Sequence, residues 1–182
     1  MEVKYVVGLA LRLGAALLLL LLPLNLFYLL LGPPTLYGAF WTLSSFSPRL
    51  EDPFLLIGYH KLKFIPACVA TSAYYLLSLL VLLTKGLTWK KGAQLWVGGT
   101  LLVFLGNLVR IDLLIWVLVR FGVDWFATLH LFFWHVVSTV YVAGIWIGLT
   151  RTLKVRGIPA WSDLQALWTM TQKRRSVRRK GR

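Results

Sequence analysis

Only one cysteine, Cys68, occurs in the chain, which excludes an intramolecular disulfide and any multi-thiolate metal centre. The three histidines show no His-Glu-x-x-His or comparable ligand spacing, so neither a metal nor a cofactor is expected. A phosphate-cradling glycine loop and a Ser-His-Asp arrangement are absent too, and no segment repeats at a fixed period. Charge is missing from long stretches. A chain of 182 residues that is 58% hydrophobic could not hide so much apolar surface in a soluble domain, so lipid must be the solvent for much of it.

Four segments are long enough to cross a hydrocarbon core of about 30 Å as helices. They are Leu13 to Leu31, with a kink predicted at Pro23 and Asn25; Phe64 to Leu83; a run from Ala93 through Arg110 that stays apolar to Arg120; and Trp125 to Leu149. The third is either one long tilted helix or a spanning helix followed by an interfacial segment. The first resembles a secretory signal only in its flanking Lys4 and Arg12: its apolar run is too long, and Gly32-Pro33-Pro34 follows without a small-x-small cleavage pattern. The expected class is an all-α polytopic membrane bundle of about four transmembrane helices with possible interfacial helices. Residues 1–150 form one integral membrane unit and residues 151–182 a basic juxtamembrane tail.

Orientation follows from the basic residues, which accumulate on the cytoplasmic side. The N-terminus (Lys4, Arg12), the loop with Lys85, Lys90 and Lys91, and the tail (Arg151, Lys154, Arg156, Lys173, Arg174, Arg175, Arg178, Arg179, Lys180, Arg182) hold 15 of the 20 Lys and Arg residues. Both termini are therefore placed in the cytoplasm. A net charge of +14 could signal nucleic-acid binding, but half of the basic residues form one tail, which suits anionic headgroups better. No nucleic-acid partner is expected. The preceding IPAWSDLQALWTM reads as a short amphipathic helix on the membrane surface.

With this topology Cys68 lies about one helical turn below the outer surface, the third segment exits near Arg110, and the fourth re-enters near His130. Singly each has an ordinary explanation: a packing thiol, a topological anchor, an interfacial polar group. An arginine near the bilayer centre nonetheless costs at least about 2.5 kcal/mol. Together the three form a nucleophile set. A thiol reacts as thiolate, which needs a nearby base or positive charge. A histidine can take its proton and return it to a leaving amine, and an arginine can stabilise a thiolate or a tetrahedral oxyanion.

The segments PACVATS around Cys68, GNLVRID around Arg110 and TLHLFFWHVVST around His130 resemble, in order and membrane position, the signature regions of the exosortase/archaeosortase family. In that family a Cys, an Arg in an Asn-x-x-Arg-Ile-like motif and a later His or Arg form the catalytic set of a multipass membrane transpeptidase. Asn107, Arg110 and Ile111 match the second motif, and Cys68 with Ser72 the first; the resemblance covers roughly residues 64–146. The chain departs where the family commonly has Gly two residues after the Cys, since Ala70 stands here, and in having fewer spans than many relatives. His130 has the fitting spacing from Arg110, and His135 is the alternative base. Five residues turn a helix by roughly 140°, so the two cannot face one point equally.

The resemblance implies a cysteine transpeptidase or protease of the cell membrane, its active site toward the outer face. Its expected partners are exported proteins whose C-terminal signal combines a short motif, a transmembrane helix and a basic cluster, with a membrane lipid as acceptor. The stretch from Gly32 to Lys63, with Pro33, Pro34, Pro48 and Pro53, is the candidate lid or substrate-reading element. Thr71 and Ser72 are placed to orient the thiol, Asn107 to hold the Arg110 guanidinium from one turn away, and Asp112 to pair with an arginine or lie at the interface. Tyr74 and Tyr75 read as packing residues. The competing class is a small structural or transporter-associated membrane subunit in which Cys68 is inert and Arg110 an anchor.

Overall fold

The structure is a computed structural model that describes residues 2–21, 23, 25–51, 54–155 and 157–180, with side chains described between residues 5 and 172. Lys4, Pro53, Arg156 and the basic side chains from Lys173 onward, all used in the charge and loop expectations, lie outside the described set. The chain is mostly helical: α1 (Glu2–Leu21), α2 (Asn25–Thr42), α3 (Pro66–Val69), α4 (Thr71–Leu82), α5 (Trp89–Phe121), α6 (Val123–Phe132), α7 (Ser138–Thr152) and α8 (Trp161–Lys180). A π-helical turn, Phe133–Val137, joins α6 to α7.

The expected segments are cut differently from the sequence reading. The run Leu13 to Leu31 is two helices, α1 and α2, that point 71° apart; Pro23 has no N–H to give the α1 ladder, and a new helix starts at Asn25. The α2 helix then continues through Pro33 and Pro34 to Thr42, which proline tolerates in a packed, lipid-facing helix. The run Phe64 to Leu83 is also broken, at Ala70, leaving the 12-residue α4 at about 18 Å, well short of the bilayer core. By contrast α5 is one uninterrupted helix of 33 residues, about 50 Å long, so Arg110 sits inside a helix and not at its exit. Two helices are long and apolar enough to cross a membrane, α5 and the 30-residue run Val123–Thr152, with the bent α1–α2 pair as a third candidate.

The all-α expectation needs one correction. Residues 49–51 and 54–63 form a three-stranded antiparallel meander, β1 (Arg49–Glu51), β2 (Phe54–Ile57) and β3 (His60–Lys63), in the order β1-β2-β3. Leu55 pairs with Leu62 and Ile57 with His60, with Gly58 at positive φ in the two-residue turn. Alternation buries Leu55 and Ile57 while Leu56 stays partly exposed, so one face of the sheet packs on the bundle and the other is open.

The bundle is organised around α5, which packs against α2, α3, α4, α6 and α7. Its buried stripe, Leu95, Val103, Asn107, Ile111, Leu114 and Leu118, follows helical spacing. Two glycines on it let neighbours approach closely: a side chain at Gly99 would meet Leu77, and one at Gly106 would meet the Tyr141 ring and hydroxyl. Away from this stripe the helices expose Leu17, Leu29, Val109 and Val140, each more than half accessible, faces compatible with a lipid solvent.

The N-terminus, the loop after α4 and the start of the tail meet at one end of the bundle. Asp163 accepts hydrogen bonds from Tyr5 Oη at 2.6 Å and Arg12 Nη2 at 3.0 Å. Lys85 Nζ lies 4.6 Å from the Tyr5 ring centroid, Lys91 Nζ donates to the Leu153 carbonyl, and Ala160 N donates to Leu83 O. The three basic regions assigned by charge to one side are therefore neighbours. Burial alone pushes the Asp163 carboxyl up, but the hydrogen bonds from Tyr5 and Arg12 and the charges of Arg12 and Lys85 outweigh it and hold it below its usual range. Its stabilising contribution is present above the ordinary carboxylate range and is lost as pH falls through the depressed folded-state value. Asp163→Asn should loosen the docking of α8 by about 1–2 kcal/mol at neutral pH, read as faster limited proteolysis within residues 153–160. Acidification should weaken the wild-type docking and leave the variant's nearly unchanged.

Candidate active site

The Cys68 segment is a single helical turn with both ends fixed by local chemistry. Ile65 is extended and Pro66 takes the first helical position, where its missing N–H costs nothing. The turn is stopped by Ala70, at φ 59° and ψ 40°, a left-handed conformation that costs an L-residue other than glycine about 1–2 kcal/mol. This is the position where the resembling family commonly has glycine. A helix this short bonds few of its own carbonyls, the Ala70 N–H reaching Ala67 O and Pro66 O, and further donors must come from other elements.

Side chains of α5 supply them. Asn107 Nδ2 donates to Cys68 O at 2.8 Å, and Arg110 Nη2 donates to Ala67 O at 2.7 Å and, at 3.5 Å, to Cys68 O. Thr71 Oγ1 reaches Pro66 O at 3.5 Å. Asn107 and Arg110, one turn apart on the same face, thus clamp the reactive turn from outside it. Both are nine-tenths or more buried. Among the described residues no carboxylate pairs with Arg110, and its Nε has no hydrogen-bond partner. A buried guanidinium without a counter-ion is costly, and it favours any anion that reaches it.

Cys68, Arg110 and His130 line one cavity of about 420 Å³, walled also by Ile111 and Phe126 and covered by Leu55 and Leu62 of the meander. His130 reaches it from the last turn of α6, its ring against Phe126 at 5.7 Å and Trp134 at 6.4 Å, with Nδ1 buried and unpartnered. His135 is elsewhere: exposed in the π-helical turn, 3.0 Å through Nδ1 from Leu131 O and stacked on Trp134. The three cavity residues are not joined as a hydrogen-bonded triad, since among the described residues the Cys68 thiol makes no hydrogen bond to either partner.

The supporting residues divide. Asn107 and Thr71 bond the Cys68 turn. Ser72 is exposed and outside the cavity wall. Among the described residues Asp112 does not pair with an arginine; its Oδ1 accepts from Thr42 Oγ1 at 2.7 Å, tying α5 to α2. Two contributions escaped the sequence reading. One is the strand pairing inside the stretch expected as a lid, Gly32 to Lys63, for which the alternation in His60-Lys61-Leu62-Lys63 was the available signal. The other is Tyr74, which packs on Phe27 at 6.2 Å as a packing residue should, yet buries a hydroxyl without a partner; no local pattern announces that.

Relief of the left-handed strain, offset by the extra freedom glycine gives the unfolded chain, leaves a net gain of about 0.5–1 kcal/mol for Ala70→Gly. Its melting temperature in detergent should rise by about 1–3 °C, while Ala70→Val should lower it. Identical melting for all three proteins would show that the turn is not held in this conformation.

No family model, characterised protein or solved structure matches the chain, so the chemistry of this cavity carries the functional reading.

Proposed function

We propose that the chain is a membrane-embedded cysteine transpeptidase of the exosortase/archaeosortase type, which cleaves the C-terminal sorting signal of exported proteins and passes the new C-terminus to an acceptor. In this reading four segments cross the cell membrane, both termini are cytoplasmic and the Cys68 cavity lies toward the outer face. The observation that carries it is the buried, carboxylate-free Arg110 lining one cavity with Cys68 and His130. An apolar cavity with a nucleophile, a base and an unpaired cation has the parts that acyl transfer requires.

The thiol would give its proton to His130 and attack the scissile carbonyl, and Arg110 would stabilise the thiolate and then the tetrahedral oxyanion. Collapse breaks the C–N bond, His130 returns the proton to the departing amine, and a thioester on Cys68 remains. The meander over the cavity is the element a substrate segment would pass.

The rival reading, a non-enzymatic membrane subunit, is favoured by one specific feature: Asn107 and Arg110 already spend hydrogen bonds on backbone carbonyls, which architecture alone would explain. Thiol chemistry separates the two. A catalytic Cys68 should react with a membrane-permeable alkylating reagent at neutral pH at a rate that drops in His130→Ala, whereas an inert thiol should be indifferent to that change.

With a tripartite substrate, Cys68→Ser should abolish processing while leaving the fold intact, because an alkoxide is far harder to form than a thiolate. Arg110→Lys should be severely impaired despite the retained charge, since an ammonium cannot reproduce the guanidinium fork. His130→Ala should lose far more activity than His135→Ala. Normal cleavage by Cys68→Ser would sink the proposal.

A further inference from the structure

The meander ends in an unpaired edge. In the order β1-β2-β3, β3 is bonded on one side to β2, and among the described residues no further backbone group bonds it. The register fixes which of its groups are left over. A two-residue turn with Gly58 at φ 56° closes on a hydrogen-bonded pair, Ile57 with His60, and bonded and non-bonded pairs then alternate along the ladder. Leu55 with Leu62 is the next bonded pair, so Lys61 and Lys63, opposite Leu56 and Phe54, turn both N–H and C=O away from β2.

This strand is also the one that touches the site. Leu62, Lys63, Phe64 and Ile65 are consecutive on the wall of the Cys68 cavity, which Phe126 and His130 of α6 also line. Side chains of an extended run alternate between faces, so an unbroken run of wall residues means that the backbone itself borders the cavity. Ile65 is extended, at φ −117° and ψ 165°, and leads straight into the Cys68 turn. The other edge strand, β1, contributes no residue to that wall.

An orphan edge is costly beside apolar surroundings, and a substrate has the matching need there. In a helix each carbonyl is bonded and wrapped by its own turn, so a peptide bond that Cys68 can attack must come from an unwound stretch, whose N–H and C=O groups then lack partners. The ammonium that commonly guards an edge strand is drawn back: Lys61 Nζ lies 3.3 Å from Glu51 Oε2 and 4.5 Å from the Phe54 ring centroid, across the sheet from the open edge.

We propose that the segment preceding the transmembrane helix of the sorting signal binds in extended form as a fourth strand on the outer edge of β3, paired to the N–H and C=O groups of Lys61 and Lys63. This rests on the transpeptidase reading and adds how that site takes its substrate: by main-chain pairing, with alternate apolar side chains turned to the face of Leu55 and Leu62.

The test uses the full chain in lipid nanodiscs and a fluorescent hexapeptide of alternating Val and Thr, its backbone amides replaced one at a time by esters. Each ester removes one N–H. Binding should weaken about fivefold at every second position and stay unchanged at the positions between. Lys61→Pro and Lys63→Pro, each of which removes an outward N–H and keeps the bonds to β2, should weaken the parent peptide to the same extent. An unchanged melting temperature validates each proline variant, and where one fails to fold the ester scan on the wild-type protein decides alone. Absence of binding, or losses without a period of two, would overturn the strand site and leave the transpeptidase reading to its own tests. If the period appears but the same hexapeptide, placed before a leucine helix and a Lys-Arg cluster, forms no thioester on Cys68, the transpeptidase reading fails and the substrate role of the edge is overturned with it.

Discussion

The clamp from α5 onto the Cys68 turn, Asn107 and Arg110 reaching the carbonyls of Ala67 and Cys68, fixes more of this molecule than its few hydrogen bonds suggest. A one-turn helix stopped by a left-handed alanine satisfies few of its carbonyls itself, the Ala70 N–H reaching Ala67 O and Pro66 O, and further donors must come from other elements. The clamp lets the chain break an apolar run at Ala70, and the break separates the cysteine from the regular ladder of α4. Depth, orientation and electrostatic surroundings of the thiol all follow from that single junction between α3 and α5.

The same junction imposes the cost that makes the region chemically loaded. Among the described residues Arg110 enters the core without a carboxylate, held by hydrogen bonds of one nitrogen to backbone carbonyls, and its Nε has no partner. Structural and catalytic roles are then compatible within one side chain: Nη2 serves the fold, and the residue also lines the cavity shared with Cys68 and His130. Asn107 shows the same division between its amide nitrogen and its oxygen. Polar groups that are half satisfied are unfavourable in an apolar core, which is why the Cys68 cavity is read as a site and not as a packing defect.

At the opposite end of the bundle a different device holds the chain together. Asp163, drawn in by Tyr5 and Arg12, docks the start of α8 against α1 and the loop after α4. It leaves Trp161, Leu164 and Trp168 exposed on the helix that carries the basic tail. That arrangement fits a helix resting on an anionic surface.

The sequence by itself determined the mostly helical, strongly apolar class and the short list of residues with chemistry to offer, while the meeting of the three basic regions came from the structure. Composition and charge asymmetry are one-dimensional properties, and a lone Cys, a buried-run Arg and a His stand out wherever the chain folds. It did not determine where helices stop. Pro23 ends α1, which the kink expectation half captured, but Ala70 breaks a run that every local propensity would continue, because the clamp from a helix some forty residues away makes the break affordable. Leu55 and Leu62 became a roof over the cavity through strand pairing that fixes which alternate residues face inward. Only the tertiary structure separated His130 from His135, since a change in helical winding at Phe133–Val137 and the position of α6 against α5, not sequence spacing, decide which imidazole reaches the wall shared with Cys68 and Arg110.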